Sequence, residues 1–181
     1  SAGAALGLGE RTSALLAAFA RSSEGDFPYP FDDRPQVPDN PLVTLRRQNN
    51  DARRVGALAR LISEGPLRFD LMLQADAGER GLPGTIQSPT PRARQEDARA
   101  LAMARLASVL GELPVELKAG ARLGRLELTS VLGDPVAPQD ETMVFVEVAA
   151  QKLWGRHALE VGLNAGRESV RSAFHAFGEV G

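Results

Sequence analysis

The sequence predicts an α+β fold, in which a mixed or antiparallel sheet packs on one long helix, with an N-terminal helix and a C-terminal helical tail. Two observations support this prediction. Apolar residues recur every three or four positions across residues 92–113, which is the spacing of an amphipathic helix. Residues 125–131 and 143–153 instead alternate apolar and polar side chains, as half-buried strands do. We expect these two strands to pair antiparallel.

The chain has 181 residues and 43% hydrophobic content, which predicts a single domain with its own core. Within it we interpret residues 1–9 as a flexible arm, 27–41 as a proline-rich connector and 155–181 as a tail. The net charge of −2 argues against binding to nucleic acid, and we expect no sequence-specific nucleic-acid binding. No apolar run approaches the eighteen or so residues of a membrane-spanning helix, so we expect no membrane partner.

The N-terminal third offers two weak signals for ligands. Gly3, Gly7 and Gly9 resemble the glycine turn of short-chain dehydrogenases, but no strand precedes them and the chain has no tyrosine with a nearby lysine. The acids of the proline-rich connector could hold a hard cation, yet they are interpreted as solvated loop residues. With no cysteine in the chain, thiolate metal sites and disulfides are excluded. We therefore expect no cofactor and no metal.

The remaining elements follow in order. Residues 10–20 have helical spacing, and residues 42–45 are predicted as a short strand. Residues 48–64 favour a helix, with an extended crossing as the alternative, and Gly65 and Pro66 end this element. Residues 67–76 alternate strictly and predict a strand. The segments left over are predicted as loops at residues 77–90 and 133–140 and as a terminal helix carrying Val170, Phe174 and Phe177.

Catalytic chemistry has few candidates in this sequence. Nucleophilic catalysis needs a serine or cysteine with a histidine and an acid, and the only histidines are His157 and His175. No metalloprotease, phosphate-loop or nucleophile-elbow motif occurs. The chain is therefore predicted not to be an enzyme, with a small enzyme that uses His157 and Glu147 as a remaining alternative.

The order of elements resembles that of the tail terminator proteins of tailed phages, which close the end of the tail tube as a ring. Four features carry the resemblance. They are the N-terminal helix leading through residues 29–35 into residues 42–45, the strand at residues 68–73, the helix at residues 98–110, and the long-looped pair of strands at residues 126–129 and 144–148.

The resemblance implies a non-enzymatic structural protein of the virion, assembled in the host cytoplasm. It would form a ring with itself, hexameric in that family, and would contact the tail tube and the neck or connector proteins. We expect the two loops and the tail to contact neighbours. The residues concerned are Gly81, Gly84, Asp134, Pro135, Pro138, Gln139, Asp140, Phe174 and Phe177. The alternative from another class is a monomeric, cytoplasmic bacterial binding module or adaptor, with a pocket between helix and sheet.

Overall fold

The computed structural model describes residues 1–85 and 88–172, and these residues form strands and no helix. Eight of the ten strands make one sheet in the order β1-β2-β5-β6-β7-β8-β9-β10, and β3 and β4 pair separately. Every pairing is antiparallel. The strands are β1 (Ala2–Gly7), β2 (Thr12–Ser23), β3 (Pro28–Phe31), β4 (Val43–Arg46), β5 (Ala52–Ser63), β6 (Leu67–Gly81), β7 (Arg94–Leu110), β8 (Leu113–Thr129), β9 (Pro135–Trp154) and β10 (His157–Ser172).

The predicted α+β fold is therefore wrong. The helices expected at residues 10–20 and 48–64 are instead the strands β2 and β5. The helix expected at residues 98–113 is the strand β7, and its last residue begins β8. On β7, alanines alternate along one side of the strand while Leu101 and Met103 lie on the other. Apolar residues on both sides of a strand produce the three- and four-residue spacings of a helix. Pairing with β6 and β8 outweighs the helix propensity of alanine.

The strands predicted from alternation are confirmed. Residues 67–76 lie in β6, residues 143–153 lie in β9, and most of residues 125–131 lie in β8, with β8 and β9 antiparallel as expected. The loop predicted at residues 133–140 is shorter, because Pro135 already pairs with Thr129 and begins β9.

Both terminal segments also differ from the prediction. The expected N-terminal arm is largely the strand β1, which pairs along its whole length with β2. Residues 157–172 of the expected tail form β10, so Val170 lies in a strand. The rest of the predicted terminal helix, with Phe174, His175 and Phe177, lies outside the described residues.

The connections differ strongly between the two ends of the large sheet. At one end β5–β6, β7–β8 and β9–β10 are joined by turns of two or three residues, and β1–β2 by four. We call this the short-turn end. At the opposite, long-loop end, residues 24–51 connect β2 to β5 and contain the β3–β4 hairpin, residues 82–93 connect β6 to β7, and a turn of five residues, 130–134, connects β8 to β9. The two ends of the sheet therefore face different surroundings.

Within the described residues, no second layer of structure packs on the large sheet. Ala93 is the only apolar residue that is buried among them, and large side chains such as Leu73 and Val146 remain 46% and 42% exposed. The accessible surface is 13700 Å². A compact monomer of 19.3 kDa would expose about 8,500 Å². Because stable domains bury a sheet face against another layer, something beyond the described residues is expected to cover this sheet.

Two phenylalanine rings lie over glycines of neighbouring strands. A Cβ added at Gly120 on β8 would lie 2.5 Å from Cε1 of Phe145 and 3.2 Å from the carbonyl oxygen of Ala102. We therefore expect Gly120→Ala to displace the Phe145 ring and to lower the free energy of unfolding by about 1 to 3 kcal/mol. Equilibrium unfolding in urea measures the change.

Gly124, on the same strand and the same face, provides the matched control. A Cβ there would meet Glu141 at 3.5 Å, which is ordinary contact. Gly124→Ala is expected to leave the stability unchanged or to raise it slightly, because alanine costs less conformational entropy than glycine in a strand. Equal losses in both variants would contradict the ring contact as the cause.

Candidate interaction surfaces on the two faces of the sheet

One face of the large sheet is apolar from edge to edge. Residues alternate between the faces of a strand and paired residues share a face, so the register assigns each side chain to one side. The row that begins at Ala18 continues through Ala57, Ala75, Ala100, Leu123, Thr142 and Ser169. We call this side the apolar face. Its central members include Leu16, Leu61, Leu71, Leu73, Ala102, Ala104, Ala119, Ala121, Val144, Val146, Val148 and Leu163.

Polar residues border this face at both ends. On β5 the apolar residues lie between Arg53 at the long-loop end and Ser63 at the short-turn end. On β10 they lie between Arg167 and His157. We call the region between these borders the apolar band. Between these polar residues it extends over ten residue steps on both β5 and β10, or about 33 Å.

The apolar band crosses the sheet obliquely. When paired residues are followed from strand to strand, Arg53 on β5 lies in the same row as Glu96 on β7. Arg167 on β10 lies in the same row as Ala102, which is six residues further along β7. At the other border, the row of Ser63 reaches Val148 on β9, and His157 pairs with Trp154, again six residues away. Both borders therefore move by the same amount between β5 and β10.

This displacement gives the angle between the strands and the band. Six residues correspond to about 20 Å along a strand, and the five spacings between β5 and β10 to about 24 Å across the sheet. The strands are thus inclined by about 40° to the normal of the band. The band, 33 Å long along a strand, is then about 25 Å high.

The border at the short-turn end carries the only tryptophan of the chain. Trp154 lies on the apolar face at the end of β9, is 49% exposed, and has its ring centroid 6.3 Å from that of His157. Lys152, on the same face, forms an ion pair with Glu112 at 2.7 Å. Amphipathic rings and charges therefore replace aliphatic side chains where the band ends.

The opposite face carries alternating charges that link neighbouring strands, and we call it the polar face. In the half nearer the short-turn end, Arg60 binds Asp70 through two bonds of 2.9 and 2.6 Å, and Lys118 contacts Glu116 at 3.0 Å and Glu147 at 3.1 Å. Arg105 pairs with the same Glu116. These ion pairs span β5 to β9.

A second set of ion pairs lies nearer the long-loop end. Arg54 on β5 contacts both Asp76 on β6 and Asp97 on β7, the latter at 2.6 Å. The two carboxylates are only 13% and 11% exposed. Farther along the sheet, Arg122 pairs with Glu141 and lies 3.9 Å from Glu168 on β10. The polar face is thus charged but locally neutralised.

The ion pairs predict a loss of stability in acid. Hydrogen bonds from Arg60 lower the pKa of Asp70 below its ordinary value of 3.8, and those from Arg105 and Lys118 lower the pKa of Glu116 below 4.5. A carboxyl group whose pKa is lowered by folding stabilises the protein above its unfolded pKa. This stability is lost as the pH falls through the folded value.

We therefore expect the free energy of unfolding to fall steadily once the pH drops below about 5. Urea unfolding between pH 7 and pH 3 measures this dependence. The double variant Asp70→Asn, Glu116→Gln is expected to be less stable at pH 7 and to show a shallower decline in acid. A variant with an unchanged pH dependence would contradict this assignment.

At the long-loop end, Asn49 joins the two long connections. Its backbone has a positive φ of 54°, and its Nδ2 donates to the carbonyl oxygens of Leu82, Thr90 and Ala93 at 3.3, 2.6 and 2.7 Å. Next to it, Asp51 accepts hydrogen bonds of 3.2 and 2.7 Å from Arg94, which lower the pKa of its carboxyl group. The loop of residues 24–51 is therefore fastened to the loop of residues 82–93.

Asn49→Ala is expected to release the two loops from each other, because three hydrogen bonds between them are lost, the carbonyl of Thr90 loses its donor, and alanine tolerates a positive φ less well. Amide hydrogen exchange around residues 82–93 should accelerate about tenfold or more. Asn40→Ala is the control, since Asn40 donates only to Asp32 and Asp33 within its own loop. Comparable acceleration in both variants would contradict the role of Asn49.

Those predicted contact residues that belong to the described part of the chain lie together at the long-loop end. Gly81 is buried at the end of β6, and its N–H donates to the carbonyl of Asp51 at 2.9 Å. Gly84 is exposed in the following loop, and Asp134 closes the turn before β9. The others, Pro135, Pro138, Gln139 and Asp140, belong to β9 itself. Their contact with neighbours stays a prediction.

The geometry does not bring together the residues of the alternative functions. His157 lies on the apolar face and Glu147 on the polar face, where Glu147 contacts Lys118. A pocket between helix and sheet is also lacking in the described part of the chain, because this part contains no helix. His157 and Glu147 are therefore not placed to act together, and a pocket between helix and sheet is not formed by the described residues, while a small enzyme and a binding module stay predictions.

The residues that sequence reasoning missed are those of the apolar face. A signal for them exists, since Ala14, Leu16, Ala18 and Ala20 on β2 occupy every second position. This period of two is hard to recognise because Leu15 and Phe19, which are also apolar, lie on the other side of the same strand. The apolar band becomes visible only when the strands are placed in register.

Comparison with protein-family models finds no match, and comparison with curated proteins finds no significant similarity. In the described residues, no helix is long and apolar enough to cross a membrane. The same part of the chain contains no group of three or more histidine, cysteine or acidic side chains placed to hold a metal ion. The resemblance to tail terminators stays a prediction, although the helices it invoked are strands.

Proposed function

We propose that this sheet spans a lipid bilayer, with the apolar face against the acyl chains and the polar face against water. The chain would then act as a wall between lipid and an aqueous space. The observation that carries the proposal is the oblique apolar band with its parallel borders. This proposal replaces the expectation of no membrane partner, which considered helical spans alone.

The dimensions of the band match those of a bilayer. Strands that cross membranes are inclined by about 35 to 45°, and they carry an apolar band about 25 Å high. The band of this sheet is about 25 Å high, with strands inclined by about 40°. A planar slab of hydrocarbon explains why both borders move by six residues in the same direction. A folded partner protein would impose no such constraint.

Two further features support the same proposal. Short turns at one end and long loops at the other suit a sheet whose ends face different compartments. Trp154 and Lys152 lie where the band meets the short-turn end, and tryptophan and lysine are favoured at membrane interfaces. The charges of the polar face keep contact with water, and their pairing across strands stabilises the sheet.

Labelling of adjacent alanines tests the proposal. The chain has no cysteine, so Ala149→Cys on the polar face and Ala150→Cys on the apolar face can each carry a single fluorescent label. In vesicles containing lipids brominated along their acyl chains, we expect strong quenching of the label at Ala150 and little at Ala149. Equal quenching at both positions, or none at Ala150 in a folded sample, would refute the proposal. A second copy covering the apolar face would give the latter result.

A further inference from the structure

The sheet ends in a strand, β10, whose edge has no proline and no bulge and whose charges on the apolar face, Arg167 and Arg171, lie only near the long-loop end. Within the described residues, β10 has no strand on its outer side and makes no contact with β1. Exposed edges are normally blunted by proline, by a bulge or by an inward-pointing charge. Over the sixteen residues of β10 the register with β9 is regular, proline is absent, and the apolar face continues through Leu159, Val161 and Leu163. This edge is suited to pairing.

We propose that β10 pairs with β1 of a second copy of this chain, which continues the sheet. The inference rests on the proposed bilayer location. Lipid offers no hydrogen-bonding partner to a free edge, so the outward N–H and C=O groups of β10 need a strand beside them. The six residues of β1 would pair with part of the sixteen residues of β10. In the antiparallel order of eight strands, β1 and β10 run in opposite directions, so this contact continues the antiparallel pattern.

Orientation selects β1 as the partner. Pairing β10 with β10 about a two-fold axis normal to the sheet would place the short-turn end of one copy beside the long-loop end of the other. Pairing about an axis along the strand would turn the apolar faces to opposite sides. Only the contact of β10 with β1 keeps both apolar faces toward lipid and both sets of long loops on one side. Such head-to-tail contacts close into a ring when the rotation between copies permits.

The register of the contact follows from the apolar band. Because the band is oblique, Ala4 on β1 lies near the short-turn border of the band, where His157 and Leu159 lie on β10. Paired residues share a face, and both bands must lie at the same height in the bilayer. Ala4 of one copy is therefore expected opposite His157 or Leu159 of the next.

Disulfide cross-linking tests this contact, because the chain has no cysteine of its own. Chains carrying Ala4→Cys are mixed with chains carrying His157→Cys or Leu159→Cys, reconstituted in vesicles and oxidised with copper phenanthroline. We expect a product of twice the chain mass with at least one of the two partners. Ala5→Cys, whose side chain lies on the opposite face, should give at least tenfold less product.

Three outcomes would overturn the inference. They are a strong product from Leu159→Cys chains alone, a link within single chains carrying both Ala4→Cys and Leu159→Cys, and no product at either position. Quenching by brominated lipid at Ala150 is measured in the same vesicles. A failed cross-link with quenching retained overturns the contact between copies alone, whereas loss of quenching in folded protein overturns the bilayer location as well.

Discussion

Ala119→Arg is expected to lower the free energy of unfolding in bilayers by about 2 to 4 kcal/mol. Ala119 lies on the apolar face of β8, between Leu117 and Ala121 and beside Val146 of β9. This position is near the middle of the apolar band, so the guanidinium group would have to leave water for hydrocarbon. Reversible urea unfolding of protein reconstituted in vesicles measures the change.

Arginine introduced at two other alanines distinguishes the effect of depth in the bilayer from the effect of the added charge alone. Ala150 lies on the apolar face next to the border at Lys152, and Ala150→Arg should cost about 0 to 1 kcal/mol, because the side chain can reach the interface. Ala149 lies on the polar face opposite Glu116, and Ala149→Arg should also have little effect. Similar losses in all three variants would contradict the placement of the apolar face in lipid.

Arg54→Leu is expected to lower the free energy of unfolding by about 2 to 3 kcal/mol. Arg54 neutralises two carboxylates, Asp76 and Asp97, which retain only 13% and 11% of their side-chain exposure. Without the guanidinium group, Asp76 would have no ion-pair partner among the described residues, and Asp97 would keep only Arg99, 4.0 Å away. Urea unfolding at pH 7 provides the measurement.

The control is Arg60→Leu, which removes an arginine that is 44% exposed and that forms its ion pair with Asp70 alone. A pair of this exposure contributes about 0 to 1 kcal/mol. Adding Asp97→Asn to the Arg54→Leu variant should restore part of the lost stability, because one of the two carboxylates that lost Arg54 becomes neutral. If Arg54→Leu costs no more than Arg60→Leu, the shared arginine has no special role.

Some strands could be predicted from the sequence because their polar face is charged. On β6, Arg68, Asp70, Gln74 and Asp76 alternate with leucines and alanines, which leaves a clear period of two. β7 lacks this contrast, since Leu101 and Met103 interrupt the charges of its polar face. With many alanines added, the pattern suggests a helix. Local spacing therefore could not separate the two structures.

The candidate surfaces depend on pairing between distant parts of the chain. Arg54, Asp76 and Asp97 meet only because β5, β6 and β7 adopt one particular register. A shift by one residue would exchange the two faces of a strand. The tilt of the apolar band likewise emerges from six strands considered together, and no single segment contains it.

The depth of three residues in one row tests the bilayer location most directly. Leu61, Ala119 and Ala165 lie in a single row of the apolar face, on β5, β8 and β10. Because the band is oblique, Leu61 falls near its short-turn border, Ala119 near its middle, and Ala165 near its long-loop border. Single cysteines at these positions, labelled in vesicles, can be located by quenchers held at known depths in the lipid.

We expect Ala119 to be the deepest label, with Leu61 and Ala165 about 5 to 8 Å closer to the interfaces. Iodide added outside the vesicles should reach only one of the two shallow labels, since they lie near opposite surfaces. Three labels at equal depth, or three labels untouched by any lipid quencher in folded protein, would contradict a sheet that crosses the bilayer.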